Sequence, residues 1–217
     1  MKVVAINGSP RKKWNTADLL NKVLEGAAAE GADTKLIHLY DLKYRGCISC
    51  FACKKKDGKS YGQCVMDDDL TAVLAKIKKA DVVVLGSPIY LANITGQMKS
   101  LLERMIFQSM LYDKDHSSLV EKKKPVAFVY TMNVNDERAQ DYDYIYKMNE
   151  RYLKQVFGYA ESFLSTDTYQ FSDYKKYDTS LFDSEAKAKR HKEVFPEDCE
   201  RAFALGAKLA RIKLEDL

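Results

Sequence analysis

No apolar run in this chain is long enough to cross a bilayer as a helix. Charge of one sign is also scarce: 35 basic residues face 31 acidic ones, and a net charge of +4 is too weak to imply nucleic acid as a partner. The short lysine runs 54–56 and 122–124 are expected in solvated loops. Only three histidines occur, His38, His116 and His191, at no ligand spacing, and no nucleophile elbow or Ser/His/Asp arrangement is present. The chain opens on Met1-Lys2-Val3-Val4-Ala5-Ile6, followed at once by a glycine-serine-proline turn, which reads as a strand and not a signal peptide. A cytoplasmic, non-membrane protein is expected. In that compartment five cysteines argue against a disulfide framework. There is no internal repeat and no linker, so residues 1–217 are expected to form one domain.

What is present is an alternation of strands and helices. Val3–Asn7 is an apolar strand, and residues 16–30 follow with helical period, placing Leu19, Leu20, Val23, Leu24 and Ala27 on one face before Gly31 stops the helix. Thr34–Leu39 reads as a second strand. Asp67, Asp68 and Asp69 cap a helix running to Lys79. Val82–Leu85 is a third strand, residues 96–110 a helix with a Met98, Leu101, Leu102, Met105, Ile106 stripe, and Val126–Thr131 a fourth strand. Tyr144–Glu161 reads as helical with Met148, Tyr152, Leu153 and Val156 inward, and a weaker fifth strand falls within Ser162–Phe171. Residues 172–193 have no clear pattern, and Pro196 opens a last helix to about Ile212, with Cys199 as a small core residue. The expectation is an α/β, flavodoxin-like three-layer sandwich with a five-stranded parallel sheet in the order 2-1-3-4-5.

In such a sheet a ligand sits at the carboxyl ends of the strands, between strands one and three. The loops there have unusual chemistry. Gly8-Ser9-Pro10-Arg11-Lys12-Lys13-Trp14-Asn15-Thr16 joins a strand to a helix N-terminus, where free N–H groups and the helix dipole favour an anion. Ser9, Asn15 and Thr16 can donate to phosphate oxygens, and Arg11 adds a charged contact. The loop is neither a Walker A motif nor GxGxxG, so an isolated monophosphate fits better than a pyrophosphate. As a plain strand–helix turn, the same residues would only cap a helix. Gly86-Ser87-Pro88-Ile89-Tyr90-Leu91-Ala92-Asn93-Ile94-Thr95-Gly96 brings an aromatic, apolar side chains and exposed backbone to the same edge, suited to a flat ring. Its alternative is an ordinary turn with Tyr90 as cover and Asn93 or Thr95 as a helix cap. Two such loops flanking one switch point rarely coincide by chance.

GSPRKKWNT at 8–16 together with GSPIYLANITGQMKS at 86–100 resembles the NADPH-dependent FMN reductase family over about the first 110 residues. The resemblance implies FMN, with its phosphate held by Ser9, Arg11, Asn15 and Thr16 and its ring bordered by Pro88, Ile89, Tyr90 and Asn93. Trp14 stands where the family often has glycine, which would permit a positive φ that tryptophan resists. The expectation is a slightly different loop path there, or a shield over the flavin or a subunit contact.

Four of the five cysteines lie in CISCFACKKKDGKSYGQC at 47–64. Thiolates spaced by two residues can converge on one soft metal centre. Cys47, Cys50, Cys53 and Cys64 also resemble the iron–sulfur flavoprotein branch of the family, which holds a [4Fe-4S] cluster near FMN, although the last gap, Lys54–Gln63, is ten residues and longer than that branch's compact spacing. Zinc would accept four thiolates as well. Free thiols able to form a reversible disulfide are the third reading. Helix capping accounts for the acidic run 67–69 without a metal.

The expected function is an FMN-dependent NAD(P)H oxidoreductase passing electrons from NADPH or NADH through flavin to a small-molecule or redox-protein acceptor, with no catalytic side chain needed. The alternatives are an iron–sulfur flavoprotein electron carrier fed by ferredoxin, and a non-enzymatic binding or thiol-sensing module. The 14 tyrosines, many between 142 and 177, suit either a core or an interface. A homodimer or homotetramer is what the family resemblance implies.

Overall fold

Alternating apolar residues on the central strands face two separate cores, which explains their unbroken hydrophobicity. The computed structural model describes residues 1–213 and 215. Strands β1 (Lys2–Asn7), β2 (Asp33–His38), β3 (Val82–Tyr90), β5 (Lys124–Thr131) and β6 (Gly158–Ser165) are parallel in the order β2-β1-β3-β5-β6. A short β4 (Asn93–Ile94) folds back antiparallel on β3. With that hairpin set aside, the order is the 2-1-3-4-5 expected. Val3, Ala5, Val82, Val84, Ala127 and Val129 pack against α1 (Asn15–Ala29) and α7 (Phe195–Arg211). Val4, Ile6, Val83, Leu85, Val126 and Phe128 pack on the other face against α2 (Asp69–Lys79), α3 (Gly96–Ser109) and α5 (Asp143–Phe157). Two shorter helices, α4 (Asp136–Ala139) and α6 (Ser184–Glu193), lie in the second half of the chain. Among the described residues no helix is long and apolar enough to cross a membrane.

Asp68 is the N-cap of α2, its carboxylate accepting from the Leu70 amide in a capping box completed by Thr71. Other elements depart from expectation. The helix expected over 144–161 ends at Phe157, because Gly158 takes φ +99 and turns the chain directly into β6. The fifth parallel strand therefore begins four residues before the expected window. Leu153 and Val156 are buried as expected, but Tyr152 is exposed and Tyr146 takes its place in the core. Residues 184–193, without a sequence pattern, form α6 because the Asp183 carboxylate caps both the Glu185 and Ala186 amides.

The lysine runs also do not lie wholly in solvent. Lys124 is fully buried in β5, and its ammonium donates to the carbonyls of Ile77, Lys78 and Ala80 at 2.8, 2.9 and 2.7 Å, at the carbonyl end of α2. Burial pushes its pKa down to about 8, and the helix-end carbonyls hold the proton against that cost. Lys124→Met should therefore destabilise the fold by about 2–3 kcal/mol, since several buried acceptors lose their donor. The expected drop in melting temperature is roughly 5–10 °C, and an unchanged melting curve would contradict this account.

Candidate functional site

The carboxyl ends of β1, β3 and β5 enclose a crevice of about 110 Å³. Both loops singled out in the sequence reach it. Ser9, Arg11, Asn15 and Thr16 line one wall, and Pro88, Ile89 and Tyr90 line the opposite one. The two loops are fastened to each other. The Gly8 amide donates to the Gly86 carbonyl at 2.7 Å, and the Thr95 hydroxyl donates to the Gly8 carbonyl at 2.7 Å while capping α3. Ser87 accepts from the Thr95 amide at 3.0 Å.

Each polar group of the first loop is held in place. The Ser9 hydroxyl accepts from the Arg11 amide at 3.1 Å, and Thr16 and Thr131 share a hydroxyl hydrogen bond of 2.7 Å. Asn15 donates to the Tyr169 carbonyl at 2.8 Å, and Arg11 donates to the Gln170 carbonyl at 2.5 Å. Trp14 needs no positive φ: it is the extended residue preceding α1 (φ −154°, ψ 175°), and its indole N–H donates to the Tyr169 carbonyl at 3.0 Å. Its ring lies under the Arg11 guanidinium, 5.3 Å from the ring centroid. The tryptophan thus ties the first loop to the segment after β6.

The second loop is less loop-like than its sequence suggests. β3 continues through Tyr90, and Leu91 and Ala92 make a two-residue hairpin turn with φ of 48° and 58°. Such a turn favours Asn-Gly, and left-handed leucine and alanine are costly there. Strain of this kind is typical of ligand-binding segments. Leu91 is fully exposed at the tip and Tyr90 is 46 % exposed at the crevice rim. Burial raises the Tyr90 pKa, with Arg11 opposing. Asn93, expected beside the ring, is not brought to this crevice; it lines a separate groove between α3 and α5 and caps its own hairpin through the Ile94 amide.

Sequence reasoning missed the remaining walls. Thr131 ends β5 with Met132 and Asn133 just after it, and Thr168, Tyr169 and Gln170 follow β6. The first three were within reach of the strand-end rule, because β5 neighbours β3 at the same edge. The others sit in a stretch without periodicity, held by stacking of Tyr169 on His191 and of His191 on Phe195. Asn133 carries a buried side-chain oxygen with no hydrogen-bond partner. Asn133 lines both this crevice and a recess against α6, and an unpaired buried acceptor at such a place fits a ligand that brings a donor. A wider recess, about 850 Å³, lies elsewhere, on the outer side of α1 against α7, not at the strand ends.

Cys47, Cys50, Cys53 and Cys64 line a single second recess of about 20 Å³, and all are free thiols. That volume holds about one water. Among the described residues no group of three or more His, Cys, Asp or Glu side chains is arranged to hold a metal ion. Ser49 and Phe51 have φ of 54° and 56°, so the chain winds back on itself between the thiols. Helix α3 anchors the segment: Glu103 accepts from the Cys47 amide at 3.3 Å and Gln108 from the Cys64 amide at 2.9 Å. The Lys54 ammonium, against expectation, is drawn inward to the carbonyls of Phe107 and Met110. Burial raises the Cys53 thiol pKa, with Lys54 opposing. Cys199 is half-buried against the α1–α7 core, apart from the other thiols.

The model of the family described as NADPH-dependent FMN reductase matches residues 1–143. The chain belongs to this family. An iron–sulfur flavoprotein of Methanocaldococcus jannaschii is 40% identical over 104 residues, which are 48% of this chain and 51% of that protein. The chain spans about half the length of the curated relatives it matches. Among solved structures, an NAD(P)H:quinone oxidoreductase from Methanothermobacter marburgensis is 13% identical with a TM-score of 0.70, covering 96% of this chain and 98% of its own. An azoreductase from Bacillus anthracis is 15% identical with a TM-score of 0.66, covering 96% and 99%. At those identities the likeness is one of fold, and the family's flavodoxin-like sheet accounts for it. The family match covers both crevice loops and the cysteine segment but not the Tyr169–Gln170 wall.

Proposed function

We propose that the chain, as one FMN-binding unit, is an FMN-dependent oxidoreductase that takes electrons from NADPH or NADH and delivers them to a small-molecule or redox-protein acceptor. The observation that carries this reading is the meeting of an anion-suited loop and an apolar, aromatic ledge at one crevice, with the unpaired Asn133 oxygen between neighbouring walls. Bound FMN would supply acceptance of a hydride and onward release of electrons. The protein's part is to bind and orient. The N-terminus of α1 with Ser9, Arg11, Asn15 and Thr16 would hold the phosphate. Pro88, Ile89 and Tyr90 would support one side of the ring, and Asn133 would accept from a flavin N–H or ribityl hydroxyl. Whole cofactor sites measure about 300 Å³ or more, so the ring would extend over the open rim beside Tyr90, where a nicotinamide can reach it. Exposed Tyr90 and Leu91 at that hairpin, with exposed Tyr144 and Tyr152 on the groove between α3 and α5, suit a homodimer or homotetramer interface. The proposed setting is the cytoplasm.

A second reading has its own support: the four thiols share one recess, and the M. jannaschii relative is named an iron–sulfur flavoprotein. On that reading the protein is an electron carrier with a [4Fe-4S] cluster fed by ferredoxin. The thiols match such a group in residue type, although among the described residues they are not arranged to hold a metal ion and their recess is about 20 Å³. Anaerobic purification tests both. A flavin spectrum bleached by NADPH supports the first reading. Added broad absorption with iron and sulfide at cluster stoichiometry, reduced by ferredoxin and not by NADPH, supports the second. A colourless protein that takes up no FMN would sink both and favour a non-enzymatic module.

A further inference from the structure

Asn7 is the last residue of β1 and is completely buried. In the parallel register of β1 and β2 it stands beside His38, the last residue of β2. Its side chain joins two segments. The Oδ1 accepts from the Ser9 amide at 2.9 Å, and the Nδ2 lies 3.0 Å from His38 Nδ1. Only one placement of hydrogens satisfies both contacts. A backbone N–H can only donate, so the Asn7 oxygen faces Ser9. The Asn7 amide nitrogen then faces His38, and it too can only donate. His38 Nδ1 must therefore be a bare acceptor, and the ring is the neutral tautomer with its proton on Nε2. An imidazolium has no lone pair to offer there. Burial holds the His38 pKa below the ordinary histidine value; Asp41, in the turn after β2, opposes this, and Lys12, in the first loop, adds to it. Lys12 and Asp41 are paired with each other.

We infer that neutral His38, acting through Asn7, is a positioning residue for the loop that grips the FMN phosphate, and that protonating His38 weakens FMN binding. The inference rests on the FMN reading above. His38 does not line the crevice, whereas Ser9 does. The Ser9 hydroxyl in turn accepts from the Arg11 amide. Support thus runs from His38 through Asn7 and Ser9 to Arg11. Protonation would set N–H against N–H. Either Asn7 turns its oxygen to the ring and points its NH2 group at the Ser9 amide, or the ring withdraws and strands a buried amide N–H. Both outcomes cost a buried hydrogen bond and release the turn at Ser9. The sign follows from the depressed pKa. The contribution is full well above the ordinary histidine pKa of about 6.5 and is lost as the pH falls below it. Net charge alone would act the other way, since a cationic ring beside the loop attracts phosphate more strongly in acid. The pH profile therefore separates positioning from simple attraction.

The test is FMN affinity by fluorescence titration between about pH 8 and about pH 5.5, the range that spans histidine ionisation. The full chain is used as wild type, His38→Asn and His38→Leu. Asparagine puts a non-titrating oxygen where Nδ1 stands, and leucine offers no acceptor at any pH. The second ionisation of the phosphate, near about pH 6, acts on all three alike. Across this range the wild type should lose roughly 3–10-fold more affinity than His38→Asn, the effect of one buried hydrogen bond. His38→Leu should be weaker than both at the alkaline end and fall no more steeply than His38→Asn. Wild type falling in parallel with His38→Asn, or less steeply, would overturn the role and leave the FMN reading intact. A wild type that binds no FMN at the alkaline end would overturn both. Should the variants fail to fold, nitrogen NMR of wild-type protein grown on labelled histidine decides the matter, with His38 identified by its contacts to the Asn7 side-chain amide. The ring should carry its proton on Nε2 and titrate at a lower pH with FMN than without. A proton on Nδ1, or a titration that FMN leaves in place or moves upward, would overturn the inference.

Discussion

Gly26→Ala should lower the melting temperature by roughly 6–12 °C, corresponding to about 3 kcal/mol in a chain of this size. Helices α1 and α7 cross in such close contact that a Cβ on Gly26 would lie 1.9 Å from the Phe203 carbonyl oxygen. The crossing is reciprocal, since a Cβ on Gly206 would lie 1.8 Å from the Val23 oxygen. Backbone atoms cannot swing aside as side-chain ends do, so the helices must part. That loosens Val23, Leu24, Ala202 and Leu205, which seal one face of the sheet. Gly96→Ala is the control, because it lies in the first turn of α3 with nothing within 4 Å of the added carbon. It should be close to neutral. Once the helices have separated, the second substitution has less to disrupt, so Gly26→Ala with Gly206→Ala should cost less than the sum of the two singly. Thermal melts of the wild type and the four variants decide this; an unperturbed Gly26→Ala would mean the crossing is looser than described.

Arg11→Ala should weaken FMN binding by about 10–100-fold, the effect of removing one charged hydrogen bond to a phosphate. Riboflavin, which has the same ring but no phosphate, should bind wild type and variant alike. Cys64→Ala should leave FMN affinity nearly unchanged, because that thiol lines the other recess. The guanidinium donates to the Gln170 carbonyl and rests over Trp14. A phosphate would therefore draw it from a partner of comparable polarity, which places the expected loss toward the lower end of the range. Fluorescence titrations with the two flavins separate the possibilities. Equal losses for FMN and riboflavin would place Arg11 at the ring and refute its assignment to the phosphate.

Much of this architecture could be read from local pattern. The inner faces of α1 and α3, the central strands and the Asp68 cap each depend on residues within a few turns of one another, and all appear where periodicity and capping chemistry put them. The convergence of loops 8–16 and 86–96 was legible too, because strand order alone brings the ends of β1 and β3 together. Limits appeared where a local signal had two outcomes. Gly158 could have interrupted a helix or ended it, and the hairpin at Leu91-Ala92 lacks the residues that normally announce such a turn.

Amino-acid order by itself determined the layers, the sheet order and the chemistry of the two loops, since these follow from side-chain spacing and from the handedness of strand–helix–strand connections. Tertiary structure alone decided that Asn133, Tyr169 and Gln170 complete the crevice, that Asn93 turns away from it, and that Lys124 is buried under a helix end. Each of these joins segments tens of residues apart. Which side chains face one another across such a distance depends on how packed elements settle together, and no repeat along the chain encodes it.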